Sequence, residues 1–67
     1  MALNPQDVLF EFRKNGNAVK VSAIDPVTNT EISIVGPANA PVQQLKMNAL
    51  RKLQYVIAKD HGDPNKG

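Results

Sequence analysis

The sequence offers few side chains that could form a catalytic or metal-binding site. Its one histidine, His61, stands next to Gly62 near the C-terminus, and we expect no serine or cysteine nucleophile to be held against it. That position favours an interaction with the C-terminal end of a helix. Asp7 and Glu31 are predicted to lie about 9 to 10 Å apart across a sheet, too far to hold one metal ion without further ligands. We therefore predict no catalytic residue, no cofactor site and no metal site.

Residues 36–41 (GPANAP) lead into the predicted helix, where a phosphate-binding loop would lie, but they do not have the composition of such a loop. It lacks the spaced glycines and the lysine that hold a nucleotide, so we interpret it as a connector. One helix on three strands would also leave little concavity for a substrate. We expect the protein not to be an enzyme.

Basic side chains make nucleic-acid binding one hypothesis. The candidate residues are Arg13, Lys20 and Arg51. Domains with the order strand-strand-strand-helix can insert a sheet into a DNA groove, and the last part of double-stranded-RNA-binding domains has the same order. However, eight Lys and Arg residues are offset by six acids, and Glu11 and Glu31 would lie on the same sheet face. Nucleic-acid binding through the open sheet face therefore stays as the alternative function.

Protein binding is the main hypothesis, because two predicted surfaces expose apolar or aromatic side chains. One is the uncovered face of the predicted sheet. The other is a helix ridge formed by residues at i, i+4 and i+8. We expect one of these surfaces to bind an unknown protein partner, or a second copy of the chain to bind through the sheet face or the exposed first or third strand. The residues are Leu9, Ile24 and Val35 on the sheet, and Met47, Arg51 and Tyr55 on the helix.

The first strand and hairpin follow from an alternating segment and a turn dipeptide. Residues 8–14 place Val8, Phe10 and Phe12 on one side, which predicts a half-buried strand with both phenylalanines toward the core. Asn15-Gly16 predicts a type I′ turn, since both central positions need positive φ. The register of that turn pairs four residues of each strand. The predicted pairs are Phe12 with Val19, Phe10 with Val21, Val8 with Ala23, and Glu11 with Lys20.

A second hairpin joins strands over residues 18–24 and 31–35. Asp25-Pro26 opens the turn, and Asn29 can adopt the left-handed conformation that closes it. A loop of residues 26–29 pairs Asp25 with Thr30 and carries the same core face into the third strand. The predicted pairs are Ala23 with Ile32 and Val21 with Ile34.

The helix is predicted over residues 41–59. Pro41 suits a first helical turn, with Asn39 or Ala40 as the cap, and Gly62 followed by Pro64 marks the end. One side of this helix is apolar and is expected to cover the sheet. Ala23 and Ala49 should allow a close approach. The apolar side consists of Val42, Leu45, Ala49, Leu50, Leu53, Val56 and Ile57.

Together these elements predict an α+β fold: a three-stranded antiparallel meander packed on one C-terminal amphipathic helix. Residues 1–61 would form a single βββα domain and residues 62–67 a flexible tail. With 67 residues the core is small, which favours self-association.

The chain has no cysteine, no secretory signal pattern at its N-terminus and no segment of about 18 apolar residues, so we expect a cytoplasmic protein without a membrane partner.

The segments VLFEFRKNGNAVKVSAIDPVTNTEISIVGP (residues 8–37) and ALRKLQYVI (residues 49–57) resemble a family of short, uncharacterised bacterial proteins, mainly alphaproteobacterial. The resemblance covers roughly residues 8 to 58. Some members carry the label of a serine hydroxymethyltransferase, but a 67-residue chain cannot form a pyridoxal-phosphate site with its supporting folds. The resemblance therefore implies no mechanism.

Overall fold

The computed structural model describes the backbone of residues 5–61 and the side chains of residues 6–59. A short 3-10 helix, Pro5–Asp7, precedes three strands, β1 (Leu9–Asn15), β2 (Ala18–Asp25) and β3 (Thr30–Pro37), and a helix, α1 (Val42–His61). The strands form one antiparallel sheet in the order β1-β2-β3. The predicted α+β meander with a C-terminal helix is confirmed. The expected tail, the stop at Gly62 and the side chain of His61 lie outside the described residues.

The first hairpin differs from the prediction by two residues in its pairing. Asn15 pairs with Ala18, so the loop is Gly16-Asn17. Gly16 has φ +62° and no other residue of this loop has positive φ, which is typical of a type II′ turn with glycine at its first central position. The predicted Asn15-Gly16 turn is wrong because Gly16 can supply the single positive φ of this turn while Asn15 keeps an extended backbone.

The corrected loop changes every cross-strand pair between β1 and β2. The predicted partners of Phe12, Phe10, Val8 and Glu11 are therefore wrong, although a shift of two residues leaves each side chain on its predicted face. In the structure Lys20 is opposite Arg13 instead of Glu11. The observed pairs are Leu9 with Ile24, Phe10 with Ala23, Glu11 with Ser22, Phe12 with Val21, Arg13 with Lys20 and Lys14 with Val19.

The turn assignment can be tested by comparing Gly16→Ala with Asn15→Ala. We expect Gly16→Ala to lower the free energy of unfolding by about 1 to 2 kcal/mol, because alanine resists positive φ. A Cβ at Gly16 would meet no other heavy atom within 4 Å, so the cost is in the backbone alone. Asn15→Ala should change stability by less than about 0.5 kcal/mol. Urea unfolding followed by far-UV circular dichroism measures both, and an equal loss at Asn15 would favour the type I′ turn.

The second hairpin matches the prediction. Asp25 pairs with Thr30, Ala23 with Ile32, and Val21 with Ile34. Asn29 has φ 58°, the left-handed conformation expected at the end of this loop. β3 continues to Pro37, two residues beyond the predicted Val35, on the outer strand of the sheet where the missing N–H of proline is tolerated.

The core lies between α1 and one face of the sheet, here called the inner face. Val21, Ala23, Ala49 and Leu53 have no exposed surface. The fully buried Ala23 and Ala49 agree with a close approach of the helix. Gly36 contributes to the same approach, because a Cβ there would lie 2.6 Å from Cδ2 of Leu45. The buried apolar residues are Val8, Val19, Val21, Ala23, Ile32, Leu45, Ala49, Leu53 and Ile57.

The helix packs on β2 and β3 and leaves β1 at the margin of the core. The expectation that both phenylalanines are buried is therefore only half right: Phe10 is partly buried, whereas Phe12 is 39% exposed.

The helix begins one residue after Pro41. At this start of α1, the N–H of Leu45 donates to the carbonyl of Pro41 at 3.2 Å. Pro41 is thus the N-cap, so the predicted caps at Asn39 and Ala40 are wrong, and Val42 at the first helical position is exposed instead of packed.

Candidate interaction surfaces

The face of the sheet opposite α1, here called the outer face, carries three rows of side chains given by the strand register. No element among residues 5–61 covers this face. Leu9 and Val35 are 59% and 72% exposed, and Ile24 is partly buried beside Leu9. One row separates Val35 from that pair. The rows are Leu9-Ile24-Glu31, Glu11-Ser22-Ser33 and Arg13-Lys20-Val35.

The centre of the outer face is small and polar. Ser22 is only 6% exposed although it lies on the uncovered side, because its short side chain sits on the central strand among larger neighbours. The predicted pairing of Glu11 with Lys20 would place Leu9 opposite Ser22, whereas the corrected hairpin places Leu9 opposite Ile24. Leu9 and Ile24 are thus cross-strand neighbours, whereas Val35 lies apart from them.

Two cations lie directly opposite each other on this face. Arg13 pairs with Lys20, and Val35 is the neighbour of Lys20 on the other side. Like charges in this position destabilise a sheet slightly. A surface depression of about 500 Å³ adjoins them; its lining residues are Arg13, Lys14, Asn15, Ala18, Lys20 and Val35.

The predicted helix ridge is present on the side of α1 that faces away from the sheet. Met47 and Tyr55 are 49% and 64% exposed, and Arg51 is exposed between them. The ammonium of Lys59 lies 5.7 Å from the centre of the Tyr55 ring, a cation–π arrangement. Because α1 covers the inner face, Arg51 lies on the opposite side of the molecule from Arg13 and Lys20. The three residues of the nucleic-acid hypothesis therefore do not form one surface.

The two edges of the sheet differ, and this feature was missed by the sequence analysis. At the β3 edge, Nζ of Lys52 donates a hydrogen bond to the carbonyl oxygen of Ser33 at 3.0 Å. At the β1 edge, Lys46 places its ammonium 5.1 Å from the centre of the Phe10 ring, above the inner face. No hydrogen bond from a side chain of residues 6–59 reaches the backbone of β1.

The structure also locates the polar groups that could support chemistry. Among the described side chains, no three His, Cys, Asp or Glu residues lie close enough to hold a metal ion. The buried carboxylate of Asp25 is occupied within its own turn, where it accepts hydrogen bonds from the N–H of Val27 and the hydroxyl of Thr28. A second depression, of about 430 Å³, is lined by Lys14, Gly16, Asn17, Pro37, Ala38 and Asn39.

Within residues 5–61, no helix combines the length and apolar character needed to cross a membrane.

Comparison with protein families gives a match. A family model described as a domain of unknown function (DUF6898) matches residues 5–60. The chain belongs to this family. The DUF6898 match spans all three strands and nearly the whole of α1, so the family corresponds to the βββα unit. No curated protein and no solved structure matches the chain.

Proposed function

We propose that this DUF6898 domain is a non-catalytic protein-interaction module that binds through the outer face of its sheet. The observation that carries the proposal is the exposure of Leu9 and Val35, at 59% and 72%, on a face that no described element covers. Ile24 adds apolar surface directly beside Leu9. Adjacent apolar side chains surrounded by polar ones, such as Leu9 and Ile24 on this face, occur in contact surfaces between proteins.

The non-catalytic part of the proposal is supported by the lining of the two depressions. Their ionisable side chains are Arg13, Lys14 and Lys20, and neither lining contains an acid, a histidine, a cysteine or a serine. General acid–base catalysis needs a group that exchanges protons near the working pH, and a nucleophile needs a base beside it. The lining of these depressions supplies neither arrangement.

Site-specific photo-crosslinking in the native host tests the binding surface. We expect a crosslinker at Leu9 or Val35 to capture a partner, and one at Val27, which is 69% exposed in the β2–β3 loop, to capture none. The partner is then purified and its affinity measured. Leu9→Lys with Val35→Lys should weaken binding at least about tenfold, since charges replace apolar contacts, while Val27→Lys should leave it unchanged.

Circular dichroism and urea unfolding establish that the variants remain folded, as expected for exposed positions. Crosslinks at Tyr55 but not at Leu9 or Val35 would contradict the outer face and assign binding to the helix ridge. Crosslinks at none of these positions would overturn the interaction proposal itself.

The pairing of Arg13 with Lys20 favours one second candidate, binding of a nucleic-acid backbone. Two adjacent cations next to Lys14 could contact neighbouring phosphates, and such binding weakens steeply as salt increases. The test is titration with mixed-sequence DNA and RNA at low salt while amide NMR shifts are recorded. Shifts at Arg13 and Lys20 but not at Arg51, on the other side of the molecule, would support this candidate. Unchanged spectra would remove it.

We further propose that the protein acts in the bacterial cytoplasm. Support comes from the resemblance of residues 8–58 to short, mainly alphaproteobacterial proteins and from the absence of cysteine in the 67-residue chain, which suits a reducing compartment. On the proposal that the domain is non-catalytic, a serine hydroxymethyltransferase label on a relative is a misassignment. Fractionation of the native host, with the protein detected by antibody, tests the location.

A further inference from the structure

We propose that a second copy of this chain adds to the β1 edge, antiparallel and centred on Phe12, to form a continuous six-stranded sheet. The inference goes beyond the proposed outer-face contact: it concerns the β1 edge and names a second copy of the chain as its occupant. It is carried by three features of β1: a backbone edge that no other described strand pairs with, a self-complementary charge pattern and an incompletely buried phenylalanine.

The backbone of β1 offers hydrogen-bonding groups along the edge that faces away from β2, where none of residues 5–61 adds a strand. In antiparallel pairs, hydrogen-bonded and non-hydrogen-bonded residue pairs alternate, and the pair that closes a two-residue hairpin is hydrogen-bonded. Since Asn15 and Ala18 close this hairpin, Arg13, Glu11 and Leu9 also bond toward β2. The N–H and C=O groups of the alternate residues therefore point away from the sheet. These residues are Phe10, Phe12 and Lys14.

The opposite edge gives an independent check of this alternation. The same rule, applied from the Asp25–Thr30 pair, directs the backbone groups of Ser33 away from β2. The carbonyl of Ser33 indeed accepts the hydrogen bond from Lys52 at 3.0 Å. The β3 edge is thus partly occupied, whereas no side chain among residues 6–59 hydrogen-bonds to the β1 edge. A second copy therefore has one edge that is open along its described length.

Charge selects the register of the added strand. Only residues with outward groups can form the hydrogen-bonded pairs, which leaves three registers near the middle of β1. Phe10 opposite Phe12 of the second copy would place Glu11 opposite Glu11, and Phe12 opposite Lys14 would place Arg13 opposite Arg13. Phe12 opposite Phe12 instead places Glu11 opposite Arg13 of the second copy, twice by symmetry. Because like charges directly opposite are destabilising, the register centred on Phe12 is favoured.

This register gives both charged residues a partner that they lack among the described side chains of one chain. Glu11 faces Ser22, Arg13 faces Lys20, and neither forms an ion pair among the described side chains. In the proposed sheet they occupy non-hydrogen-bonded pairs, in which the Cβ atoms are close, about 4.5 to 5.5 Å apart. The acid of the second copy would then offset the repulsion between Arg13 and Lys20.

The same contact buries the aromatic side chain that α1 leaves uncovered. Phe12 is 39% exposed on the inner face because the helix packs on β2 and β3. In the centred register the two Phe12 rings are cross-strand neighbours, an arrangement that favours aromatic pairs. Three hydrogen-bonded residue pairs would add about six main-chain hydrogen bonds. This is a small contact, so a weak and reversible dimer is expected.

Sedimentation equilibrium of the purified full chain from micromolar to millimolar concentration tests the dimer. We expect wild-type protein to associate, and Glu11→Lys or Arg13→Glu to weaken association at least about tenfold, because each change makes both cross-copy pairs repulsive. The double variant Glu11→Lys with Arg13→Glu exchanges the charges and should restore the wild-type association. Glu31→Lys, on the same face but on β3, is the matched control and should have little effect.

The results of these experiments either support or contradict a dimer through the β1 edge. Circular dichroism confirms folding of the variants, and Arg13→Glu should fold well because Glu would face Lys20. A wild-type chain that stays monomeric to millimolar concentration overturns the dimer, while crosslinking from Leu9 and Val35 would still decide the broader interaction proposal. Association that persists in the single variants, or that the double variant fails to restore, places the contact elsewhere and also overturns it.

Discussion

Leu53→Ala is expected to leave the domain largely unfolded at 25 °C. The Leu53 side chain has no exposed surface and is the largest fully buried group together with Val21. Truncation of a buried leucine to alanine costs about 2.7 to 5 kcal/mol, through lost burial and the cavity left behind. A single small core of this kind supplies only about 3 to 5 kcal/mol of net stability. The loss is therefore comparable to the whole free energy of unfolding.

Far-UV circular dichroism with urea titration measures this effect. Tyr55→Ala is the matched control, since it removes a large side chain two residues away that is 64% exposed. We expect the Tyr55 variant to remain within about 0.5 kcal/mol of wild type. The opposite result, with Tyr55→Ala unfolded and Leu53→Ala stable, would mean that the buried and exposed sides of α1 are exchanged.

Asp25→Ala is expected to cost about 2 kcal/mol of stability, the second largest effect that we predict. The carboxylate is buried, with 3% of the residue exposed, and it organises the β2–β3 turn. Its Oδ1 accepts from the N–H of Val27 at 3.2 Å and its Oδ2 from the hydroxyl of Thr28 at 2.8 Å. Hydrogen bonds to a charged group contribute more than neutral ones, and alanine would leave both donors without this acceptor.

Two variants separate the contribution of this turn from general effects of charge. Asp25→Asn keeps an oxygen that can accept from Val27, so we expect about half the loss of Asp25→Ala. Glu31→Ala removes an exposed acid next to the Thr30 end of the same hairpin and should be nearly neutral. Urea midpoints of the three variants provide the comparison. Equal stability of Asp25→Ala and Glu31→Ala would show that the buried carboxylate contributes nothing specific.

The two hairpins show what could be predicted from the sequence. Asp25-Pro26 and Asn29 leave few alternatives for the second loop, and its register was predicted correctly. In the first, Asn15-Gly16 and Gly16-Asn17 are both acceptable two-residue turns, and local preferences did not distinguish them. The shift of two residues preserved the inner and outer faces, so the predicted core was largely correct although the cross-strand pairs were not.

Periodicity in the sequence predicts which candidate residues are exposed, but it does not predict which groups at the sheet edges are covered or hydrogen-bonded. Alternation along the strands and the repeat of the helix placed Leu9, Val35 and Tyr55 on the surface. Exposure of Phe12 depends on where α1 lies across the sheet, and the close contact of Gly36 with Leu45 is part of that placement. Such a contact joins separate elements and leaves no periodic pattern in the sequence. The Lys52–Ser33 hydrogen bond is of the same kind.

The hydrogen bond from Lys52 to the Ser33 carbonyl has a consequence for stoichiometry if strand addition occurs at β1. A sheet with two equally accessible borders could recruit molecules at both and elongate into a fibre. Here one border has a carbonyl engaged by an ammonium group, so recruitment at that border would have to displace this hydrogen bond. Neutralising that ammonium, for instance by acetylation, would remove this restraint on polymerisation.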